Sequence, residues 1–101
     1  MIEVHATFPS KKEAEKVSAR LLEKKLAACT MIFPVESAYN WKGKTEKSKE
    51  FLMIAKSEKR LFAGIKAEIK RLHSYETPFI AMVEAKANRE YEKWLSSELA
   101  K

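Results

Sequence analysis

Aspartate and glutamine are absent from the 101 residues, and cysteine occurs once, at Cys29. Asparagine occurs only at Asn40 and Asn88, glycine only at Gly43 and Gly64, and proline only at Pro9, Pro34 and Pro78. Each shortage excludes something. One cysteine cannot build an intrachain disulfide framework or a multi-cysteine zinc or iron–sulfur site. Without aspartate a Ser/His/Asp triad lacks its third member, and carboxylate chemistry falls to glutamate. Two isolated glycines cannot form a phosphate-cradling loop, and neither Gly-x-Ser-x-Gly nor His-Glu-x-x-His occurs. The chain is therefore expected not to be an enzyme. The longest run without a charge, Leu26 to Val35, has ten residues. A membrane span needs about 20. Met1 and Ile2 lead directly into Glu3 and an alternating pattern, not into a basic segment and an apolar stretch. No secretory signal is read, and a cytoplasmic location is expected.

Lysine and glutamate are abundant instead. All 14 acidic residues are glutamate, and 16 of the 20 basic ones are lysine. Lys/Glu enrichment with few thermolabile amides is the composition of heat-adapted proteins, so a thermophile is the expected source. The net charge of +6 raises nucleic-acid binding as a function. The signs are interleaved, however, as in Lys11-Lys12-Glu13 or Lys47-Ser48-Lys49-Glu50, which is the pattern of a solvated face. An RNA-reading sheet needs aromatic pairs on its central strands. The stretch Phe51 to Ala55 has one aromatic ring and no preceding Lys-Gly-Phe signature. Neither nucleic acid nor membrane is an expected partner.

The element order is legible from periodicity. Ile2, Val4, Ala6 and Phe8 alternate with polar residues as a half-buried strand. Ser10 and Glu13 predict a capping box for a helix to about Lys25, with Ala14, Val17, Ser18, Leu21 and Leu22 inward. A strand is predicted over Ala27 to Trp41. It opens with an apolar run suited to burial on both faces, and Pro34 marks an expected bulge or unpaired position. Trp41-Lys42-Gly43-Lys44 predicts a hairpin turn with positive φ at Gly43, returning as a strand to Lys56. Ser57 is the expected cap of a second helix over Glu58 to Leu72, with Leu61, Ile65, Ile69 and Leu72 on one face. After the loop His73 to Pro78 come a strand over Phe79 to Ala85 and a helix capped by Asn88, with Tyr91, Trp94, Leu95 and Leu99 on its apolar face. The whole, residues 1–101, is one α+β domain: a ferredoxin-like βαββαβ sandwich with an extra C-terminal helix and a long hairpin between its second and third strands.

Length then points to an oligomer. Fifteen residues of strand extend roughly 50 Å, whereas a domain this size is roughly 35 Å across. The distal hairpin, which carries Tyr39 and Trp41, is expected to pack on neighbouring copies in a closed ring.

Four stretches carry a family resemblance across essentially the whole chain. They are Leu26-Ala27-Ala28-Cys29, Ser37 to Lys44, His73 to Pro78, and Asn88 to Leu95. In this order they resemble the CutA divalent-cation-tolerance family. The resemblance implies a ferredoxin-like homotrimer akin to the trimeric PII signalling proteins. It also implies a cytoplasmic role in tolerance of copper and other divalent metals. Bacterial members are described with copper held by a first-strand Cys and two adjacent His before a Pro-Tyr loop. By position these fall at Ala6, Leu72 and His73, so this chain keeps His73 alone, within His73-Ser74-Tyr75.

His73 is accordingly the candidate metal ligand, with copper the ion and no cofactor required. Its other reading is a helix-terminal cation or cap. His5, facing away from the Val4 side, is a second imidazole. Cys29, with Met31 on its side of the strand, is either a small buried hydrophobe or a soft ligand. Met53 and Met82 read as core filler. Tyr39, Trp41 and Tyr75, with Lys56 and Glu84 as polar groups, are candidates for a pocket between subunits; packing at the interface is the alternative.

Overall fold

Alternation along the first strand sets the architecture. In a computed structural model, which describes residues 1–101, β1 (Ile2–Phe8) turns Ile2, Val4, Ala6 and Phe8 fully inward. β1 lies at the centre of a four-stranded antiparallel sheet of order β2-β3-β1-β4, with β2 (Cys29–Trp41), β3 (Lys44–Ser57) and β4 (Ile80–Glu84). Helices α1 (Lys11–Glu23) and α2 (Phe62–Leu72) cover one face. Val17, Leu21, Ile65 and Ile69 pack there on Val4, Met53 and Ala55. This is the ferredoxin-like sandwich expected from the element order. Helix α3 (Arg89–Glu98) closes one end through Leu95 and Leu99, and the Ala100 N–H donates to the Lys25 carbonyl at 2.8 Å.

Several local expectations are corrected. Helix α1 stops at Glu23 because Lys25 takes φ 57°, and the Leu26 N–H then closes the end on the Leu21 carbonyl at 2.9 Å. Leu22 is 42% exposed and outside the inward stripe. Pro34 makes no bulge; the β2–β3 register runs unbroken from Cys29↔Lys56 to Trp41↔Lys44, and the missing amide falls on an edge strand. Within one chain the helices cover only one face of β2, where the apolar run suggested burial on both; Met31 and Phe33 are each 41% exposed. Ser57 ends β3 instead of capping a helix: its Oγ donates to the Leu26 carbonyl at 2.6 Å, and a 3-10 turn, Lys59–Leu61, leads into α2. Asn88 stands at the N-cap of α3 without a capping side-chain bond; its Nδ2 donates to Glu90 Oε2.

The hairpin turn forms as expected, with Gly43 at φ 76° and also Lys42 at φ 49°. Positive φ at both central residues is the two-residue turn that matches strand twist. The chain measures 46 Å along its longest axis against 25 and 20 Å across.

Candidate functional site

Loop 73–79 is held by bonds from distant elements. The His73 side chain is 0% exposed and stacks on Phe8 with ring centroids 4.6 Å apart. Nε2 lies 2.7 Å from the Thr7 carbonyl, which can only accept, so Nε2 carries the proton. Nδ1 accepts the Tyr75 N–H at 3.0 Å. Both nitrogens are engaged, and a metal reaches this imidazole only by displacing one bond. Glu13 binds the same loop. Its N–H caps α1 on Ser10 Oγ, while its carboxylate accepts both the N–H and the hydroxyl of Ser74 at 3.1 Å. The box is thus half formed, and its free carboxylate holds the loop. Ser74 donates to a carboxylate and not to the imidazole, so the serine–base pair of a nucleophile is not assembled.

These bonds fix Tyr75, whose hydroxyl donates to Glu50 Oε2 at 2.9 Å. Burial, then that bond and the Glu50 charge, push the phenol up to about 12. Tyr75 forms one wall of an open cleft of about 1190 Å³ between the loop and the hairpin. Tyr39, Trp41 and Phe79 supply three more rings, and Glu46, Glu50 and Glu76 supply three carboxylates. The other five lining residues are serine or threonine. Strand alternation explains the set. Glu46, Ser48 and Glu50 share the face of β3 that lies away from the helices, opposite Tyr39, Ser37 and Val35 of β2.

The structure brings Tyr39, Trp41 and Tyr75 together, and separates Lys56 and Glu84 from them. Lys56 Nζ lies over the Tyr91 ring at 5.2 Å, and Glu84 pairs with Lys59 at 3.2 Å near the other end of β1. His5 contacts Glu3 Oε1 at 3.0 Å. Cys29 is half-buried, and no three His, Cys or Glu side chains within the chain are grouped to hold a metal. Met53 is core and Met82 packs on it, whereas Met31 is exposed. Sequence reasoning missed Glu46, Glu50, Glu76 and Phe79. The available signal was Glu46-x-Ser48-x-Glu50 facing Tyr39 across the turn; it was absorbed into the general interleaving of charge.

The model of the CutA1 divalent ion tolerance protein family matches residues 2–98. The divalent-cation tolerance protein CutA of Archaeoglobus fulgidus is 44% identical over 93 residues, covering 91% of each chain. The crystal structure of CutA1 from Pyrococcus horikoshii superimposes with a TM-score of 0.94 at 38% identity over 100% of both chains. A structure described as the periplasmic divalent cation tolerance protein CutA from A. fulgidus gives 0.93 at 42% identity, over 97% of this chain and 98% of that one. No helix here is long and apolar enough to cross a membrane. With its sequence matched from end to end and its sandwich superimposing on theirs, the chain belongs to the CutA1 divalent ion tolerance protein family.

Proposed function

We propose that the chain acts in divalent-cation tolerance as a homotrimer that holds metal ions, copper foremost, without catalysing a reaction. The observation that carries this is the family match over residues 2–98. Assembly is supported by the sheet face the helices leave open, where Met31, Phe33 and Val83 are exposed, and by the hairpin beyond it, where Trp41 is 58% exposed. A soluble chain closes such an edge and face with copies of itself; three copies follow the family resemblance. For His73 to ligate, Tyr75 N–H must release Nδ1, so binding is weak and loosens loop 73–79. The test is mass in solution together with copper titration of the intact protein beside His73→Ala. Three chains per particle and a copper signal that weakens in the variant are expected. A monomer, or copper uptake no greater than that of a generic acidic protein, overturns the reading.

A second reading is a PII-like signalling or scaffold trimer, favoured by the ring-and-carboxylate cleft. A ligand of the native state raises the melting temperature. A melting screen of metabolites and nucleotides that moves nothing removes this reading.

A further inference from the structure

The two layers of the sandwich differ in charge. Segments 9–28 and 58–72, which hold α1 and α2 with their flanks, contain 11 of the 20 cations and 5 of the 14 acids; the rest of the chain contains 9 of each. The whole net charge of +6 therefore belongs to the helix layer. Along the sequence the signs interleave, but the fold sorts them by layer. Ion pairing sharpens the imbalance. Within the layer Glu13 is taken by Ser74, Glu23 by Arg20, Glu58 by Arg60, and Glu68 by Arg71, Lys24 and Arg20. Lys11, Lys12, Lys16, Lys25, Lys66 and Lys70 are exposed, and none pairs with a carboxylate. Lys12 and Lys16 stand four residues apart, opposite the buried Ala14, Val17, Ser18 and Leu21, and so share the outer face of α1 about 6 Å from each other. Lys66 and Lys70 repeat that spacing on α2. Copies that close the open sheet face leave this layer outside, because the helices cover the opposite face.

What the layer lacks narrows the class of anionic partner. Of the exposed large apolar side chains, Leu22 alone lies on α1 or α2. Protein docking centres on aromatic and arginine anchors and is poor in lysine. Peripheral membrane binding sinks apolar side chains among the headgroups. Binding a single nucleic-acid strand needs exposed rings on which bases stack. None of these is provided. Arg20, Arg60 and Arg71, the side chains suited to reading base edges, are each held by a glutamate. The exposed surface of the two helices bears no serine, threonine, asparagine or glutamine to contact a base or a ribose hydroxyl. Flexible point charges remain, and these hold phosphates without reading sequence. Helix α1, with 13 residues, is about 20 Å long. Duplex DNA presents a charge every ~1.7 Å, so about a dozen phosphates lie along that length. We propose that the helix layer binds double-stranded DNA through its phosphates, independently of sequence. This goes beyond metal holding and does not require three copies.

The experiment is fluorescence anisotropy of two labelled DNA duplexes of about 24 base pairs and unrelated sequence, titrated with the intact protein in its solution assembly at several salt concentrations. Both duplexes should bind with the same affinity, and log K should fall with log salt at a slope of about −4, the mark of about four to five phosphate contacts. The double variant Lys12→Gln/Lys16→Gln should lower the slope by about 2 and weaken binding about tenfold per lysine at 0.1 M salt. The double variant Lys93→Gln/Lys101→Gln removes the same charge from exposed positions outside the layer and should leave both quantities unchanged. Equal loss in the two variants, or no binding at low salt, overturns the assignment. So does equal binding of polyglutamate, or tighter binding of phosphatidylserine vesicles at matched charge. Duplex RNA that binds more tightly than DNA overturns the choice of DNA; equal or weaker binding fits a face that meets phosphate alone. A monomer that binds DNA removes the assembly reading and leaves this one. A trimer that takes up copper and no DNA does the reverse.

Discussion

His73 and Glu68 each tie together elements that are distant in sequence. His73 joins β1 to the end of α2 through Thr7, Phe8 and Tyr75. Its replacement by alanine removes a buried ring and two hydrogen bonds, which costs about 3 kcal/mol. Urea unfolding of the two proteins side by side should give that difference; a change below about 1 kcal/mol contradicts it. Glu68 faces three cations: Arg71, Lys24 at 3.0 Å and Arg20 at 3.7 Å. The Arg71 and Lys24 bonds hold its carboxyl at about 2, against an ordinary 4.5. A carboxyl depressed in the fold stabilises above its unfolded value and loses that contribution as pH falls. Between pH 4.5 and 2 the native protein should therefore lose stability more steeply than Glu68→Gln, as thermal melts across that range would show. That His73 lies at a helix end was legible from spacing. Its partner Thr7, 66 residues away, was not, because no local pattern encodes a contact between distant elements.

At the level of elements, alternation and turn chemistry were enough to place every strand and helix, and the misplacements have physical causes. The α1 terminus was overrun because the left-handed position is filled by Lys25, where glycine would have marked it. Ser57 looked like a cap because serine suits caps, but the Leu26 carbonyl claimed its hydroxyl. Gly64 lies inside α2, where a Cβ would stand 3.4 Å from Leu26 Cδ2, an ordinary contact that alanine could make. In the hairpin turn, φ 76° at Gly43 is costly for any side chain, although the space around it is open. Gly43→Ala should cost about 1 kcal/mol from backbone strain alone. Lys42→Asn should stabilise slightly, since asparagine tolerates its φ of 49° better than lysine. Thermal melts of both variants check the opposite signs.

For the whole molecule, the decisive asymmetry lies between the two sheet faces. One is sealed by α1 and α2; the other carries Met31, Phe33 and Val83 in the open. The cleft was partly legible, since three of its four rings were named from the sequence, but its carboxylates depend on strand facing, which composition hides. Phe33→Glu leaves the helix-side core untouched and places a charge on the open face. Its mass in light scattering should fall to one chain while its circular dichroism stays native; retained assembly contradicts the proposed use of this face. The topology also orders events in time. Strand β1 emerges from the ribosome before β3, yet Ile2 pairs with Ser57, 55 residues later, and also with Glu84. At about 5–20 residues per second this leaves β1 several seconds without a partner. The β2–β3 hairpin, whose strands are adjacent in sequence, closes in about 1–10 μs once made. The nascent chain therefore carries a strand with four core residues bare through about half of synthesis, and that interval is when chaperone binding or aggregation competes with folding.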